Sequence, residues 1–331
     1  MNPTKRDFLR LADLSLDEHR ALFARARTLK AARSAAQVIT TLAGRSLLLL
    51  FEKSSTRTRV SFEAAIQQLG GSAITLPMQD SQLARGEPLE DTARVVSRYV
   101  DAVMFRTHGD ARLETFANAS RVPVINGLSD GGHPVQILAD LLTVVEHLGP
   151  RASGATFPDS LEVLRGKQIA WIGDGASNMA LSWIEAAHLF DFTLRLAAPP
   201  AYRPAAADLS KLAKFPDGVT ERGRVLHCDA REAAHGADAV TTDVWISMGQ
   251  EKEAAARKAS FDGYCVDAEL MALAKKEAIF LHCLPAHRGE EVTAAVTDGP
   301  QSAILDEAEN RMHVQKALLE LMILGAFPSN T

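Results

Sequence analysis

The sequence predicts an α/β protein made of two doubly wound parallel-sheet domains with an active-site cleft between them. This prediction rests on three observations: short apolar runs alternate with helical patterns, one Gly- and Pro-rich segment interrupts the alternation, and polar motifs follow the apolar runs. Repeated strand–helix alternation is typical of parallel sheets with helices on both faces. In such folds ligands bind at the carboxyl ends of strands, which is where the polar motifs lie.

The first half of the chain contains four predicted strands. Ser15 and Glu18 form a capping-box pattern that opens a helix reaching about Ala32. The predicted strands are Ser46–Phe51, Ala73–Leu76, Ala102–Phe105 and Val122–Ile125. The predicted helices are Ser61–Leu69, Leu89–Tyr99, one between the third and fourth strands, and Val135–Leu148. Met78–Pro88 has neither period and is expected to be a loop.

Gly149–Ser160 is the best candidate for a linker, because it is rich in small residues and Pro and has no hydrophobic period. We therefore expect domains at residues 1–148 and 149–306, with the C-terminal helix 307–325 returning to the first domain. The strands predicted after the linker are Gln168–Ile172, Thr193–Leu196, Ala239–Thr242 and Ile279–His282. The predicted helices are Asn178–Leu189 and Glu307–Leu324.

Composition excludes several classes of protein. A chain of 331 residues, 47% of them hydrophobic, has the length of about two globular domains. A net charge of −5 disfavours binding along a nucleic-acid backbone. Three Cys do not make a disulfide framework, and the N-terminus has no apolar signal segment. The longest purely apolar run, Leu47–Phe51, is too short to span a membrane, so we expect a cytoplasmic protein.

The strongest local motif, Phe51–Arg59, follows the first strand. Three hydroxyl residues and two Arg stand where a helix begins, and a helix N-terminus favours an anion. Arg adds charge-assisted hydrogen bonds to phosphate. An ordinary helix cap with solvated Arg is the alternative. The Gly pattern of a Walker A loop is missing.

Four further segments carry polar residues near strand ends, and each has an ordinary structural alternative. Gly132–Gln136 places a His before a helix-opening Pro. Gly173–Asn178 imitates a dinucleotide-binding turn but lacks the third Gly. Thr242–Gln250 has an acid at a strand end, where it can hold an ammonium group. Leu281–Gly289 has a Cys between two His, and its spacing matches no standard zinc pattern.

A last segment, Glu307–Arg311, enters the C-terminal helix. By itself it is most simply a solvated charged turn.

Together, these motifs resemble the aspartate/ornithine carbamoyltransferase family, and within it the ornithine-using members. The resemblance covers essentially the whole chain. It rests on Ser55-Thr56-Arg57-Thr58, His133-Pro-Val-Gln136, Asp243-x-x-x-Ser247-Met248-Gly and His282-Cys283-Leu284-Pro, in the family's order. The last two motifs separate the chain from the aspartate-using relatives.

The resemblance implies a role for each matching residue. The phosphate of carbamoyl phosphate is expected on Ser55, Thr56, Arg57 and Thr58. Further carbamoyl-phosphate contacts are expected from Gln82, Arg106, His133, Gln136, Cys283, Leu284 and Arg311. Ornithine is expected on Asn178, Asp243, Ser247 and Met248. Cys283, Arg106 and His133 are the implied catalytic residues.

The resemblance also implies a homotrimer, or a multiple of trimers, in which the loop with Gln82 reaches a neighbouring subunit. It implies no metal and no cofactor, and its substrates are carbamoyl phosphate and L-ornithine. Three alternatives stay open at this point. They are a relative using N-acetylornithine, N-succinylornithine or putrescine, a nicotinamide-dependent oxidoreductase, and a silent carbamoyl-phosphate-binding or scaffold protein.

Overall fold

The computed structural model describes residues 5–150, 159–212, 223–246 and 251–328. The chain divides into two compact units. The first contains Met1–Leu138 and Arg311–Thr331, and the second contains Ala139–Asn310. The C-terminal residues therefore return to the first unit. The domain boundaries at 148 and 306 stay a prediction.

The first unit contains a four-stranded parallel sheet with strand order β2-β1-β3-β4. Its strands are β1 (Ser46–Phe51), β2 (Ser72–Pro77), β3 (Ala102–Arg106) and β4 (Val124–Leu128). Its helices are α1 (Leu16–Ser34), α2 (Thr56–Gln68), α3 (Leu89–Val96) and α4 (Asp110–Ala119). The predicted capping box is present, because Ser15 Oγ accepts from the Glu18 N–H and Glu18 Oε2 accepts from the Ser15 N–H.

The second unit contains a five-stranded parallel sheet with strand order β7-β6-β5-β8-β9. Its strands are β5 (Gln168–Ile172), β6 (Thr193–Ala197), β7 (Arg224–Cys228), β8 (Ala239–Thr242) and β9 (Ile279–His282). Helix α5 (Pro134–Leu148) begins in the first unit and ends in the second. The next helices are α6 (Ser160–Leu164), α7 (Asn178–Phe190), α8 (Ala206–Leu212), α9 (Ala230–Ala234), α10 (Ala254–Ser260), α11 (Ala268–Met271) and α12 (Ala294–Thr297). The last helix, α13 (Ile304–Leu324), begins in the second unit and ends in the first.

Each sheet has its own apolar core. In the first unit, alternate residues of the central strands, such as Leu48, Leu50 and Phe105, are almost completely buried, and Phe105 packs against Phe116 with ring centroids 5.0 Å apart. In the second unit, the side chains of Ile172 and Phe280 belong to a comparable buried cluster. Because central parallel strands are covered on both faces, they are recognisable as uninterrupted apolar runs.

The predicted doubly wound, two-domain α/β fold is confirmed, with differences at the margins. Strand β7 was not predicted because Arg224–Cys228 mixes polar and apolar residues. It forms the exposed edge of its sheet. The predicted loop Met78–Pro88 contains two short 3₁₀ turns, Met78–Asp80 and Gln82–Arg85. Most of the predicted linker, residues 151–158, lies outside the described residues.

Strand order locates one switch point in each sheet. In the first sheet the chain runs from β1 outward to β2 and then returns to β3 on the other side of β1. In the second it runs from β5 through β6 to β7 and then returns to β8. Ligands of doubly wound sheets bind beyond the carboxyl ends of the strands at such points. Within the described ranges, no helix has the length and apolar character needed to cross a membrane.

Candidate active site

The first candidate cluster lies at the switch point of the first sheet. Phe51 and Arg106, the last residues of β1 and β3, are register partners. The chain leaves β1 into the N-terminus of α2, where Ser55 is the cap and its Oγ accepts from the Thr58 N–H at 3.3 Å. Thr56 is exposed and Arg57 is half-buried in the first turn. A helix N-terminus at a switch point is suited to an anion, because it combines free N–H groups with the positive end of the helix dipole.

Thr58 brings two arginines from distant parts of the chain together. Its Oγ1 accepts from Arg311 Nη2 at 2.9 Å and from Arg106 Nη1 at 3.4 Å. It also accepts from Ser55 Oγ at 3.1 Å. The two arginines are almost completely buried, with 6% of Arg106 and 4% of Arg311 exposed. Guanidinium groups bind phosphate and carboxylate oxygens in a bidentate manner, so this cluster fits a phosphate-sized anion.

His133 belongs to the same positively charged surroundings. It immediately precedes α5, and its carbonyl accepts from the N–H groups of Gln136 and Ile137 at 3.0 and 3.2 Å. Burial and then the positive charges of Arg311, Arg106 and Arg57 hold the pKa of His133 well below its usual range. The imidazole is therefore neutral near pH 7, and one ring nitrogen carries a hydrogen that can be donated to a carbonyl oxygen.

Gln136 and Gln82 differ in their surroundings. Gln136 lies in the first turn of α5 and is only 1% exposed. Gln82 begins a 3₁₀ turn and is exposed, and its side chain makes no hydrogen bond to any residue that the structure describes. Gln136 is thus part of a buried polar region next to His133, whereas a role for Gln82 stays a prediction.

The second candidate cluster lies where β8 and β9 end. Thr242 and His282, the last residues of these strands, are register partners, so the residues that follow them leave the sheet side by side. Cys283 Sγ donates to Asp243 Oδ1 at 3.3 Å, and the Val244 N–H donates to the same oxygen at 2.8 Å. Two residues forty positions apart in the sequence therefore form one polar pair.

Burial and charge keep a proton on Cys283. Burial is the main cause that raises the pKa of this thiol well above its ordinary value, and the carboxylates of Asp243, Glu307 and Asp140 raise it further. Burial also raises the pKa of Asp243. Because the thiolate is the nucleophilic form of cysteine, Cys283 is suited to hydrogen bonding and contact, and unsuited to nucleophilic attack.

The turn after β9 is held by His282, which is 1% exposed. Its Nδ1 accepts from the Leu284 N–H at 2.9 Å, so the proton is on Nε2, which donates to Glu291 Oε1 at 3.2 Å. The His282 N–H donates to Glu307 Oε2 at 2.8 Å. Leu284 has a positive φ of 59°. These contacts fix the direction in which Cys283 and Leu284 leave the strand.

Most of the charged segment that begins near Glu307 is buried, so its interpretation as a solvated turn is wrong for Glu307, Asn310 and Arg311 and fits only the exposed Glu309. Glu307 is 1% exposed and Asn310 is 0% exposed. Asn310 Nδ2 donates to Thr143 Oγ1 and to Glu146 Oε2, both at 2.9 Å. The alternation of charges looks solvated in sequence, but helix packing buries Glu307, Asn310 and Arg311 and supplies each of these three with a partner.

Sequence reasoning missed a buried ion pair between Asp174 and Arg257. Arg257 is 4% exposed, its Nη2 donates to Asp174 Oδ2, and its Nε donates to the Trp245 carbonyl at 2.6 Å. The guanidinium also lies over the ring of Tyr202, 4.6 Å from its centroid. Arg257 therefore joins the turn after β5 to the start of the loop after β8. Buried arginine cannot be recognised from sequence, since most Arg are exposed.

Besides Asp243, the residues predicted to bind ornithine are Asn178, Ser247 and Met248. Asn178 is the first residue of α7 and is half-buried, and the cap of this helix is Ser177. Ser247 and Met248 lie outside the described residues.

The turn after β5 does not support a dinucleotide site. A Cβ on Gly175 would lie 2.9 Å from Leu196 Cδ2 and 3.0 Å from Ala198 Cβ. Gly175 is therefore required by packing against the end of β6. The Asp174 carboxylate is engaged by Arg257 and by the Ala176 N–H at 2.9 Å, so it is committed to the protein itself.

Asp243, His282 and Cys283 form one cluster of potential metal ligands, with ligand atoms within 4.8 Å of one another. Both ring nitrogens of His282 already make hydrogen bonds, and Cys283 is a thiol, whereas metals bind the thiolate. This donor set does not fit a resident metal ion.

A second cluster consists of His287, Glu290 and Glu291. Lys258 Nζ lies 2.6 Å from Glu290 Oε1, and Glu291 Oε1 accepts from the His287 N–H at 2.6 Å. A cation thus already neutralises one of the two carboxylates, and we assign no metal here.

Fold and site together define a two-unit α/β protein in which one sheet presents a cationic, phosphate-sized site and the other a carboxylate–thiol pair. Two family profiles match the chain: "Aspartate/ornithine carbamoyltransferase, carbamoyl-P binding domain" over residues 6–146 and "Aspartate/ornithine carbamoyltransferase, Asp/Orn binding domain" over residues 165–322. The chain belongs to the aspartate/ornithine carbamoyltransferase family.

Relatives are similar over almost the whole chain. The ornithine carbamoyltransferase of Halorhodospira halophila is 56% identical over 97% of this chain and 99% of its own length. The crystal structure of ornithine carbamoyltransferase from Burkholderia thailandensis is 47% identical, covers 97% of this chain and 99% of that chain, and has a TM-score of 0.82. The structure from Pyrococcus furiosus is 41% identical, covers 98% of both chains and has a TM-score of 0.87.

Proposed function

We propose that this protein transfers the carbamoyl group of carbamoyl phosphate to the δ-amine of L-ornithine, which gives L-citrulline and phosphate. The observation that carries the proposal is the cluster in which Thr58 joins the buried Arg106 and Arg311 at the N-terminus of α2. Family membership and relatives named ornithine carbamoyltransferase support the same reaction.

The first cluster is proposed to bind carbamoyl phosphate. Its phosphate is placed on the start of α2, and Arg106 contacts both phosphate and the carbamoyl oxygen. Neutral His133 donates to the carbamoyl oxygen, which stabilises negative charge that develops there during attack. Gln136, Gln82, Cys283, Leu284 and Arg311 complete the proposed carbamoyl-phosphate contacts. The residues proposed for the phosphate itself are Ser55, Thr56, Arg57 and Thr58.

The second cluster is proposed to bind ornithine. Asp243 is an acceptor for an ammonium group, and the Cys283 thiol that donates to it orients the carboxylate. Cys283 and Leu284 are placed near the reacting amine. The residues proposed for the amino-acid end of ornithine are Asn178, Asp243, Ser247 and Met248.

The proposed chemical step forms one bond and breaks one bond. The lone pair of the neutral δ-amine attacks the carbamoyl carbon, the new C–N bond forms, and the bond between carbon and phosphate oxygen breaks. Phosphate leaves with the electron pair, and the amine proton passes to the leaving phosphate or to Asp243. Because Cys283 already holds its proton, it is not the base in this step. Correct positioning of both substrates supplies much of the rate.

We further propose arginine biosynthesis as the role, the cytoplasm as the location and a homotrimer, or a multiple of trimers, as the assembly. The family resemblance is the basis for all three. In the trimer, Gln82 contributes to the site of a neighbouring subunit, which agrees with its exposure in the single chain. The transfer itself exchanges no electrons, so it calls for no redox cofactor.

The test is product formation from carbamoyl phosphate with L-ornithine, run beside N-acetylornithine, putrescine and aspartate. Citrulline and phosphate in equal amounts from ornithine alone support the proposal. Transfer only to another amine removes the ornithine assignment and keeps the carbamoyl-phosphate assignment. Failure of every acceptor contradicts the proposed enzyme.

A further inference from the structure

The first unit contains a cavity of about 340 Å³ away from the proposed phosphate site. It lies between the C-terminal end of α1, the segment after it, the C-terminal end of α2 and one residue of α13. Its polar lining consists of Arg33, Gln37, Thr40, Gln67, Gln68 and Lys316. This volume is at the lower end of the range of roughly 300–1,000 Å³ for ligand pockets, so it admits a small molecule.

Lys316 is the unusual member of this lining. It is only 3% exposed, yet its amine makes no hydrogen bond or ion pair with any residue that the structure describes. Glu320, one helical turn later, raises the pKa of Lys316 through its negative charge, but it makes no ion pair with the amine. Both Glu320 oxygens accept from Arg25, at 2.6 and 2.8 Å, and one accepts from Thr41 at 2.5 Å. A largely buried lysine without an ion-pair partner is unfavourable, so an anion bound in the cavity would stabilise it.

Arg33 adds a second positive charge to the same cavity. Its side chain donates to Met312 Sδ at 2.8 Å, and Gln68 Nε2 donates to the same sulfur at 3.3 Å. A thioether is a weak, neutral acceptor, so the guanidinium keeps its charge and most of its five donors. Burial and the charge of Arg33 together lower the pKa of Lys316 to about 8. The two cations therefore repel each other across a space that can hold an anion.

We propose that this cavity is a binding site for a small metabolite that carries a carboxylate or phosphate group. Lys316 and Arg33 bind the anionic oxygens, and the amides of Gln37, Gln67 and Gln68 supply further polar contacts. The apolar remainder of the ligand packs on Leu29, Val38 and Leu69, which also line the cavity. The proposal is independent of the proposed catalytic activity, because none of these residues belongs to the candidate active site.

The test measures anion binding to the full chain by calorimetry, with inorganic phosphate and succinate as separate probes and chloride at matched ionic strength as reference. The variants are Lys316→Met and Arg33→Gln. Arg20→Gln is the matched control, because Arg20 is a half-exposed arginine of α1 that pairs with Asp17 outside the cavity. Phosphate is also expected to bind at the proposed active site, so the informative quantity is the phosphate binding that is lost in Lys316→Met and kept in Arg20→Gln.

We expect Lys316→Met to weaken the affinity for at least one probe about tenfold or more, which is the size of one lost charge-assisted hydrogen bond. Arg33→Gln should weaken the same binding, and Arg20→Gln should leave it unchanged. A loss with phosphate alone identifies a phosphate-bearing ligand, and a loss with succinate identifies a carboxylate. Lys316→Met keeps the length of the side chain and removes a buried charge, so it is expected to fold. Lys316→Gln is the second variant.

Equal affinity of the wild type and Lys316→Met for both probes overturns the proposal. A crystal soaked with selenate supplies an independent readout. Anomalous density between Arg33 and Lys316 that is lost in Lys316→Met supports the site, and its absence at saturating selenate contradicts it.

Discussion

Cys283 Sγ and Asp243 Oδ1 lie 3.3 Å apart at the ends of two neighbouring parallel strands, and the thiol donates to the carboxylate. The pair arises from sheet register, because Thr242 and His282 are partners and the next residue of each strand leaves at the same level. The pair places a protonated thiol next to a carboxylate in the part of the site that is proposed to bind ornithine. Two predictions concern this pair.

Cys283→Ala is expected to impair ornithine use more than carbamoyl-phosphate use. Loss of the thiol removes a hydrogen bond to a charged group, which is worth about 1.5–3 kcal/mol, or roughly ten- to a hundredfold in kcat/KM for ornithine. The KM for carbamoyl phosphate should change less than about threefold, a bound of about 0.6 kcal/mol. Steady-state kinetics with each substrate varied in turn measure this split. Cys265→Ala, a change at another half-buried cysteine, is the control. Equal losses for both substrates contradict the proposed role.

Cys283 is expected to react slowly with iodoacetamide at pH 7 to 9, because its pKa is raised well above the ordinary value by burial and by Asp243. Asp243→Asn removes a negative charge that disfavours the thiolate, so it should lower this pKa and speed alkylation at pH 9. Burial is the larger cause and persists in the variant, so the rate should still rise with pH. Peptide mapping by mass spectrometry separates Cys283 from the other cysteines. Unchanged alkylation in Asp243→Asn would show that the carboxylate does not hold the thiol proton.

Thr58→Val is expected to weaken carbamoyl-phosphate use, whereas Thr58→Ser should retain most of it. Valine keeps the shape of the side chain but removes the hydroxyl that accepts from Arg106 and Arg311. One lost hydrogen bond to a charged group is worth about 1.5–3 kcal/mol, so kcat/KM for carbamoyl phosphate should fall by at least roughly ten- to a hundredfold. The measurement is the KM and kcat for carbamoyl phosphate at saturating ornithine.

The control for this change is Thr115→Val, at a half-buried threonine of α4 whose hydroxyl donates to the Ala111 carbonyl. It should leave both kinetic constants unchanged. Similar losses in Thr58→Val and Thr58→Ser would indicate that the methyl group and packing matter, and the proposed hydroxyl contact would be wrong.

Much of the fold was predictable because parallel strands covered on both faces are apolar throughout. The run Ser46–Phe51 and the strands Gln168–Ile172 and Ile279–His282 have the bounds that the sequence predicts. Edge strands lack this signal, which is why Arg224–Cys228 was missed. The predicted start of the second helix at Ser61 was also late, since α2 begins at Thr56, directly after its cap.

Individual site residues were predictable at strand ends, but their contacts were not. Sequence reasoning placed Asp243 and Cys283 at the ends of strands, and their hydrogen bond follows only from the register of β8 with β9. Packing between distant segments brings Arg257 to Asp174. It also brings two arginines to the hydroxyl of Thr58. Lys316 looks in sequence like an ordinary helix-surface lysine, and only its burial distinguishes it.

A final prediction concerns pH and stability through His19, which is fully buried in α1 and whose Nδ1 lies 3.0 Å from the Ser15 carbonyl. Burial is the main cause that lowers the pKa of His19 from 6.5 to about 4. As the pH falls, His19 is therefore protonated near pH 6.5 in the unfolded chain but only near pH 4 in the folded chain. This destabilisation is absent above pH 6.5 and grows as the pH falls between the two values. At pH 5 it amounts to about 2 kcal/mol.

Urea unfolding at pH 7 and pH 5 measures this loss of stability. Between these two pH values His19→Gln should lose about 2 kcal/mol less stability than the wild type. His235→Gln, at an exposed histidine, is the control. An identical loss in the wild type and His19→Gln would show that His19 accepts its proton equally well in both states, which its burial argues against.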